Sequence, residues 1–327
     1  MMRVAITGAT GHLGTNVMRA CLDRGHVVRA LVRDVTHKAI AGLPVEIETI
    51  DVLEHATLRP ALSGCDAVIH LAARISITGD RDGLVAKTNI EGVRNVVKAS
   101  VSAGISRLVH VSSIHAMQLE MAGETVDETC RLVGDSGFAY DRSKAAGERI
   151  VSEAVASGLN AVILRPSGIL GPLDYTVSRA NRMLLDFFSG KRRFLIPGGF
   201  DWVDARDVAR AVVSALDRGS AGTQYLLSGH WQSLSDIAEA CGTISAKPVR
   251  RITVPGRIAA VAAPVVEAAS VISGTEPLFT REALAAIASN CRHCSSDRAI
   301  RELGFVARPL IETLRDSHEW FHEQQML

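Results

Sequence analysis

Tyr140 and Lys144 stand four residues apart in "GFAYDRSKAAGERIVSEAVASG", residues 137–158. At that spacing two side chains lie one above the other on a helix face. Ala139, Ala145, Ala146, Ile150, Val151 and Ala154 fall at helical intervals and predict a helix here. A phenol ionises near pH 10 and is a poor proton carrier at neutral pH; a neighbouring ammonium favours its ionised form. The pair therefore points to acid–base chemistry. On this stretch alone, two ordinary residues flanking a helix remain the commoner reading.

A second chemical signal opens the chain. The apolar run "RVAITGA" passes into "TGATGHLGTNVMRACLDRGH", in which Gly8, Gly11 and Gly14 are spaced three and three rather than as G-x-G-x-x-G. Glycines permit a tight turn and close backbone approach, and the following helix presents its N-terminus to a pyrophosphate. The turn predicts dinucleotide binding through Gly8, Thr10, Gly11, His12, Leu13 and Gly14.

Those residues need a frame. "RVAITGA", "VVRALVR", "VEIETID", "AVIHLAA", "RLVHVSS" and "NAVILRPSG" read as near-continuous apolar strands, with helical segments between them. The pattern predicts an α/β fold, a doubly wound parallel sheet (Rossmann fold) over residues 1–168, with ligands outside the carboxyl ends of the strands. Residues 169–327 read as a smaller substrate-binding lobe, partly threaded back onto the sheet, with helices near 177–189, 204–217, 233–245 and 309–324.

Composition narrows the function. With 327 residues, 47% hydrophobic content and net charge +1, the chain is a globular protein with no basic patch for nucleic acid. Cys291 and Cys294 form the one CxxC, with no second pair for zinc and no preceding strand for a redox motif, so no metal is expected. The N-terminus reads as a strand rather than a signal peptide. The longest apolar stretch, 258–274, contains Pro264 and Glu267 and falls short of an uninterrupted membrane span, leaving a docked helix or peripheral membrane contact. These features together predict a cytoplasmic protein.

"TGATGHLG", "VSS" (111–113) and "YDRSK" (140–144), in that order, resemble the extended short-chain dehydrogenase/reductase superfamily, the NAD-dependent epimerase/dehydratase fold, over nearly the whole chain. "HLAA" (70–73), "TNIEGVRNVVKA" (88–99), "LRPSGILGP" (164–172) and "VDARDVARAV" (203–212) add to it. "VRALVRD" (28–34) and the segment 297–321 carry a narrower similarity to dihydroflavonol reductases and 3β-hydroxysteroid dehydrogenases.

The resemblance implies that Tyr140 is the general acid/base, that Lys144 holds the nicotinamide ribose and lowers the phenol's pKa, and that Ser113 hydrogen-bonds the reacting oxygen. Strand alternation turns Ser112 to the other face. Asp51 and Val52 would meet the adenine end. Leu71, Ala72 and Ala73 would line the cofactor with Asn89 in support, and Pro166, Ser167 and Ile169 would lie beside the nicotinamide. His115 either faces the substrate or makes a structural hydrogen bond, and His70 and His110 read as core residues. The family also implies a homodimer.

The cofactor expected is NADP rather than NAD. Val32 stands where NAD users place a ribose-binding acid, and Arg33 follows, a guanidinium suited to a 2′-phosphate; Asp34 would reach the ribose or pair with Lys38. For the small-molecule substrate, Ile75, Tyr175, Phe200 and Trp202 would form an apolar wall, while Arg206 would pair with Asp204 or Asp207 rather than a ligand. Lys191, Arg192 and Arg193 would bind phosphate or stabilise the end of the preceding helix. A carbonyl reductase or alcohol dehydrogenase is the leading expectation. A nucleotide-sugar epimerase/dehydratase and a non-catalytic dinucleotide sensor are the alternatives.

Overall fold

A computed structural model of the chain describes residues 1–119, 125–249, 251–258, 261, 280–288 and 292–327. The six apolar runs of the first half form β1 (Arg3–Thr7), β2 (Val27–Val32), β3 (Glu46–Thr49), β4 (Ala67–His70), β5 (Arg107–Val111) and β6 (Ala161–Pro166). Between them lie α1 (His12–Asp23), α2 (His55–Leu62), α3 (Leu84–Ala86), which runs through a π-type turn into α4 (Gly92–Ser102), and α5 (Ala139–Ala156). The second half holds β7 (Gly168–Leu170), α6 (Arg179–Phe188), β8 (Phe194–Leu195), β9 (Gly199–Asp204), α7 (Ala205–Asp217), β10 (Gln224–Leu227), β11 (His230–Ser233), α8 (Leu234–Ile244) and β12 (Ile252–Thr253). Helices α9 (Arg281–Ala288), α10 (Asp297–Leu303) and α11 (Leu310–Glu323) follow.

The main sheet is parallel throughout, in the order β3-β2-β1-β4-β5-β6-β10. Its order reverses between β1 and β4, and the crevice beyond their carboxyl ends is where such a sheet binds ligands. Both faces are buried because alternate strand residues feed two apolar layers. Val4, Ile6, Ala67, Ile69, Val109 and Val111 pack under α1, α7 and α10. Ala5, Val68, Leu108 and Ile163 pack under α2, α4 and α5. The continuous apolar runs are what a sheet covered on both sides requires.

The second half adds to the layer under α1 and α7 and builds a further core of its own. β10 extends the main sheet beside β6, and α7 packs on α1. A separate core gathers Leu184, Phe187 and Phe188 of α6, Ile237 of α8, and Trp320 and Phe321 of α11. The three-stranded sheet β11-β9-β7 borders that core, with β8 and β12 pairing nearby. Cys291 and nearly all of 258–274 lie outside the described residues. Among the described residues no helix is long and apolar enough to cross a membrane.

Arg107 ties the halves at the start of β5. Only 7% exposed, it donates from Nε to the Ala215 carbonyl (2.9 Å), from Nη1 to Asn160 Oδ1 (2.6 Å), and from Nη2 to the carbonyls of Arg218 (2.5 Å) and Gly219 (2.9 Å). These carbonyls lie at and just past the end of α7, where no further helical turn supplies donors. A guanidinium satisfies several directions at once, and an ammonium on a single stem does not. Arg107→Lys should therefore lower stability by about 2–3 kcal/mol, the scale of a charged hydrogen bond. Chemical denaturation measures it, and a loss under about 0.5 kcal/mol, ordinary for a surface change, would show that other donors take over.

Candidate active site

The glycine turn is closed by contact on two sides. Gly8 has φ +69°, and a Cβ there would lie 2.7 Å from the backbone N of Ala72. A Cβ on Gly14 would lie 2.1 Å from the Gly8 carbonyl oxygen, so α1 reaches the turn only because position 14 lacks a side chain. Gly11 caps α1 with no side-chain hydrogen bond, and the first turn carries no acidic residue. The leading N–H groups of α1 thus remain open to an anion. Thr10 and Leu13 lie partly exposed around the turn, whereas the His12 ring is buried.

Beyond the turn, Thr7 Oγ1 accepts from the backbone N–H of Leu71 (3.2 Å) and Ala72 (3.3 Å), holding the exit of β4 against β1. Asn89, buried in the π-type turn, accepts from Arg74 N (2.8 Å) and donates to Arg74 O and Ser143 Oγ (both 2.9 Å). It joins the loop that follows Ala73 to α5. Asp51 Oδ1 accepts from Leu53 N (2.9 Å) where β3 ends, and Val52 is buried against Gly92. Arg33, one residue past β2, is exposed. Asp34 does not pair with Lys38: its carboxylate closes a local turn with Thr36 N (2.8 Å) and Oγ1 (2.6 Å). These residues form a cradle that fits a nicotinamide dinucleotide, whose pyrophosphate would be held at α1 and whose adenosine end would lie toward β2 and β3.

Ser113, Tyr140 and Lys144 come together where β5 ends against the start of α5. Ser113 caps a 3-10 turn (Ile114–Ala116), its Oγ accepting from His115 N at 3.2 Å. Lys144, 7% exposed, donates from Nζ to the Val111 carbonyl at 3.2 Å. Burial pulls its pKa down to about 8, partly opposed by the Glu148 carboxylate one turn further along α5. The expected lowering of the Tyr140 phenol is not what the protein alone produces. Loss of water pushes it up to about 12, hydrogen bonding from Ser113 works against this, and Asp141's charge adds to the rise. The physical reason is that desolvation outweighs the available donors while Lys144 is directed at a backbone carbonyl. At rest the phenol is protonated.

Several charged and aromatic residues have roles that spacing did not reveal. Glu148 (1% exposed) and Arg165 (4% exposed) form a buried forked ion pair, 2.6 Å at its shortest, between α5 and β6. His70 and His110 stack at 5.4 Å beneath this end of the sheet. Burial first, then the charge of Lys144, lowers His70 to about 3; burial, His70 and Lys144 lower His110 as well, so both are neutral. His70 Nδ1 bonds Thr7 Oγ1 at 2.7 Å. They are core residues, as expected. His115 Nδ1 lies 3.3 Å from Asp141 Oδ1, and its ring meets Tyr140 edge-on at 6.0 Å.

The expected substrate wall separates into different environments. Trp202 is buried in the lobe core, bonded through Nε1 to the Gln232 carbonyl and packed edge-on with Phe200. It is a core residue because its face of β9 turns inward. Tyr175 rests against Trp320 at 5.5 Å, whereas Ile75 is exposed on the loop after β4. Ser167 is buried beside Asp201, with its N–H bonded to the Leu227 carbonyl; Pro166 ends β6 and Ile169 lies in β7 against the main core. Arg206 takes Asp204 (2.7 Å) and Asp316 (2.7 Å), not Asp207, which binds Arg210 and Arg308. Arg192 pairs with Asp186 in α6.

A doubly wound sheet with an open glycine turn at its switch point and acid–base side chains beside it defines a dinucleotide-dependent enzyme. The chain belongs to the NAD dependent epimerase/dehydratase family, whose pattern matches residues 4–228. It is similar to sterol demethylase protein B of Methylococcus capsulatus, 34% identical with 100% of both chains covered. Cinnamoyl-CoA reductase 1 of Oryza sativa is 32% identical over 69% of this chain and 71% of that one. Among solved structures, the protein gox2253 superposes with a TM-score of 0.86 at 31% identity, covering 99% of each chain. The protein is thus an NAD(P)-dependent enzyme of the extended short-chain type.

The pairing of Glu148 with Arg165 makes a measurable claim about Lys144. Glu148→Gln removes the negative charge that raises the lysine's pKa and leaves a guanidinium buried without its partner. The titration midpoint of Lys144 should fall below about 8, and stability should drop by about 3–5 kcal/mol, as for a broken buried pair. NMR titration of labelled lysine and chemical denaturation read the two effects. An unchanged midpoint would show that Glu148 does not act on Lys144.

Proposed function

We propose that the protein is an NADP-dependent oxidoreductase that transfers a hydride between the nicotinamide and a carbonyl or alcohol of a small or medium hydrophobic substrate, with Tyr140 as general acid/base. One observation carries the reading: a hydroxyl donor, a protonated phenol and a buried ammonium, Ser113, Tyr140 and Lys144, meet at the carboxyl edge of the sheet. When bound, the nicotinamide supplies or accepts the hydride at the substrate carbon.

The chain's own residues manage the proton. In reduction, the carbonyl π pair moves onto oxygen, Tyr140 gives that oxygen its O–H proton, and Ser113 donates a hydrogen bond to it as charge develops. This leaves Tyr140 as the phenolate. In oxidation the phenolate takes the alcohol proton back. A dinucleotide sensor without turnover would have no use for this phenol.

Arg192, Arg206 and Arg308 are committed to carboxylates of the protein, which supports an uncharged substrate over a nucleotide sugar at those three positions, while Lys191 and Arg193 lie exposed. The relative named for sterol demethylation supports a hydrophobic ketone or sterol-like alcohol. The reading retains the cytoplasmic setting and the homodimer expected from family resemblance.

Tyr140→Phe should leave folding and cofactor binding nearly intact while lowering turnover by about 10²–10⁴-fold, the typical share of general acid–base catalysis. Steady-state reduction of a ketone series with NADPH reads it, and retention of more than half the activity would remove Tyr140 from the mechanism. For the cofactor, a hydrogen-bonded guanidinium at the 2′-phosphate implies NADPH binding about 10 to 100 times tighter than NADH. Fluorescence titration of wild type and Arg33→Ala tests this: equal affinities in the wild type, or no loss in the variant, would overturn the NADP assignment.

A further inference from the structure

The acid–base set accounts for Tyr140 and Ser113 but leaves a second titratable pair against them. His115 follows Ser113 by two residues, and its backbone N–H donates to Ser113 Oγ at 3.2 Å, so the serine and the histidine are placed by one 3-10 turn. Asp141 follows Tyr140 in the first turn of α5 and faces His115 Nδ1 at 3.3 Å. The imidazole meets the Tyr140 ring edge-on. The His115 side chain keeps 33% of its surface exposed and that of Asp141 19%, so neither is sealed in the core.

A carboxylate opposite Nδ1 selects the tautomer that carries its proton on Nδ1. In that neutral tautomer Nε2 is a lone-pair acceptor, and no hydrogen bond or ion pair holds it among the described residues. We propose that His115, oriented by Asp141, is a second polar contact of the substrate site, accepting a hydrogen bond from a hydroxyl that the substrate carries on a carbon adjacent to its reacting carbonyl. This rests on the reductase reading and narrows its substrate class to hydroxyketones. Ser113 and Tyr140 address the reacting oxygen as donors, and His115 addresses the neighbouring oxygen as an acceptor. A plain ketone would leave Nε2 without that bond. A site built around a substrate hydroxyl discriminates against the analogue that lacks it.

The test compares cyclohexanone with 2-hydroxycyclohexanone as substrates of the full-length protein with NADPH, reading the ratio of their kcat/KM values. In the wild type the hydroxyketone should be favoured by about tenfold, one good hydrogen bond's worth. His115→Phe should bring the ratio close to one, and His115→Gln, whose amide oxygen is again an acceptor, should restore part of it. Asp141→Ala, which releases the tautomer, should lower the ratio less than His115→Phe does. Circular dichroism and NADPH binding identify variants that are folded. A wild-type ratio near one, a ratio unchanged in His115→Phe, or equal losses on both ketones would overturn the proposal while leaving the reductase reading standing. Reduction of neither ketone by the wild type would instead overturn the reductase reading on which the proposal depends.

Discussion

A buried ammonium constrains the architecture around it. Lys144 has left water almost completely, and an unpaired charge in such a place is costly enough that the group would discharge instead. Its fall to about 8 marks that tension. What keeps it protonated near neutrality is local: the Val111 carbonyl at the end of β5 and the Glu148 carboxylate one helical turn away. Glu148 is in turn fixed by Arg165 of β6, whose Nη1 also reaches the Glu128 carbonyl, while the Glu128 carboxylate accepts from Leu226 N in β10. One charge thus requires agreement among α5, three neighbouring strands and the segment before α5.

A second chain of contacts brings the dinucleotide end into the same agreement. Gly8 permits the approach of Ala72, Thr7 fixes Leu71 and Ala72, Asn89 clasps Arg74 and Ser143, and Ser143 Oγ donates to the Tyr140 carbonyl at 2.6 Å. The path runs from the glycine turn to the Tyr140 backbone through backbone groups and short polar side chains. A misplaced glycine turn would therefore disturb the start of α5, where Tyr140 stands, as well as the first turn of α1, and a fixed geometry of this kind is what preorganisation requires.

How much of this the sequence disclosed follows from the range of each contact. The strands of the first half were legible because both faces are buried, which leaves continuous apolar runs. The Tyr140–Lys144 face and the glycine turn were legible because their geometry is local. β10 is not legible as a strand, since "QYLL" is too short for periodicity to separate strand from helix. Its partner β6 lies far away in sequence. Trp202 looked like substrate wall because composition does not say which face of β9 turns inward. The effect of Lys144 on the phenol is hidden for a similar reason. Helical spacing sets two side chains on one face, but only the position of Val111 decides where the ammonium is directed. His115 with Asp141 and Glu148 with Arg165 join separate elements, so their signals were single residues until strand order brought them together.

The connection between β7 and α6 shows how the lobe is registered against the dinucleotide turn. Leu173 (φ 65°) and Val177 (φ 51°) adopt left-handed backbone, a conformation side chains of their kind resist at about 1–3 kcal/mol each. Between them Asp174, fully buried, accepts from Thr176 Oγ1 (2.8 Å), Ser178 N (2.6 Å) and Asn181 Nδ2 (3.1 Å). Burial alone would raise its carboxyl pKa, yet His12 and these donors hold it below the usual range. Charged hydrogen bonds of about 1.5–3 kcal/mol each are enough to offset the backbone strain. Asp174 also faces His12 Nδ1 at 3.8 Å, and Asn16 Nδ2 donates to the Pro172 carbonyl at 3.2 Å. Both contacts fall on the first turns of α1, the helix end that receives the pyrophosphate in a dinucleotide-binding sheet. The strained connection is therefore anchored on the first turns of α1, and the lobe takes its position from the same helix terminus that borders the glycine turn.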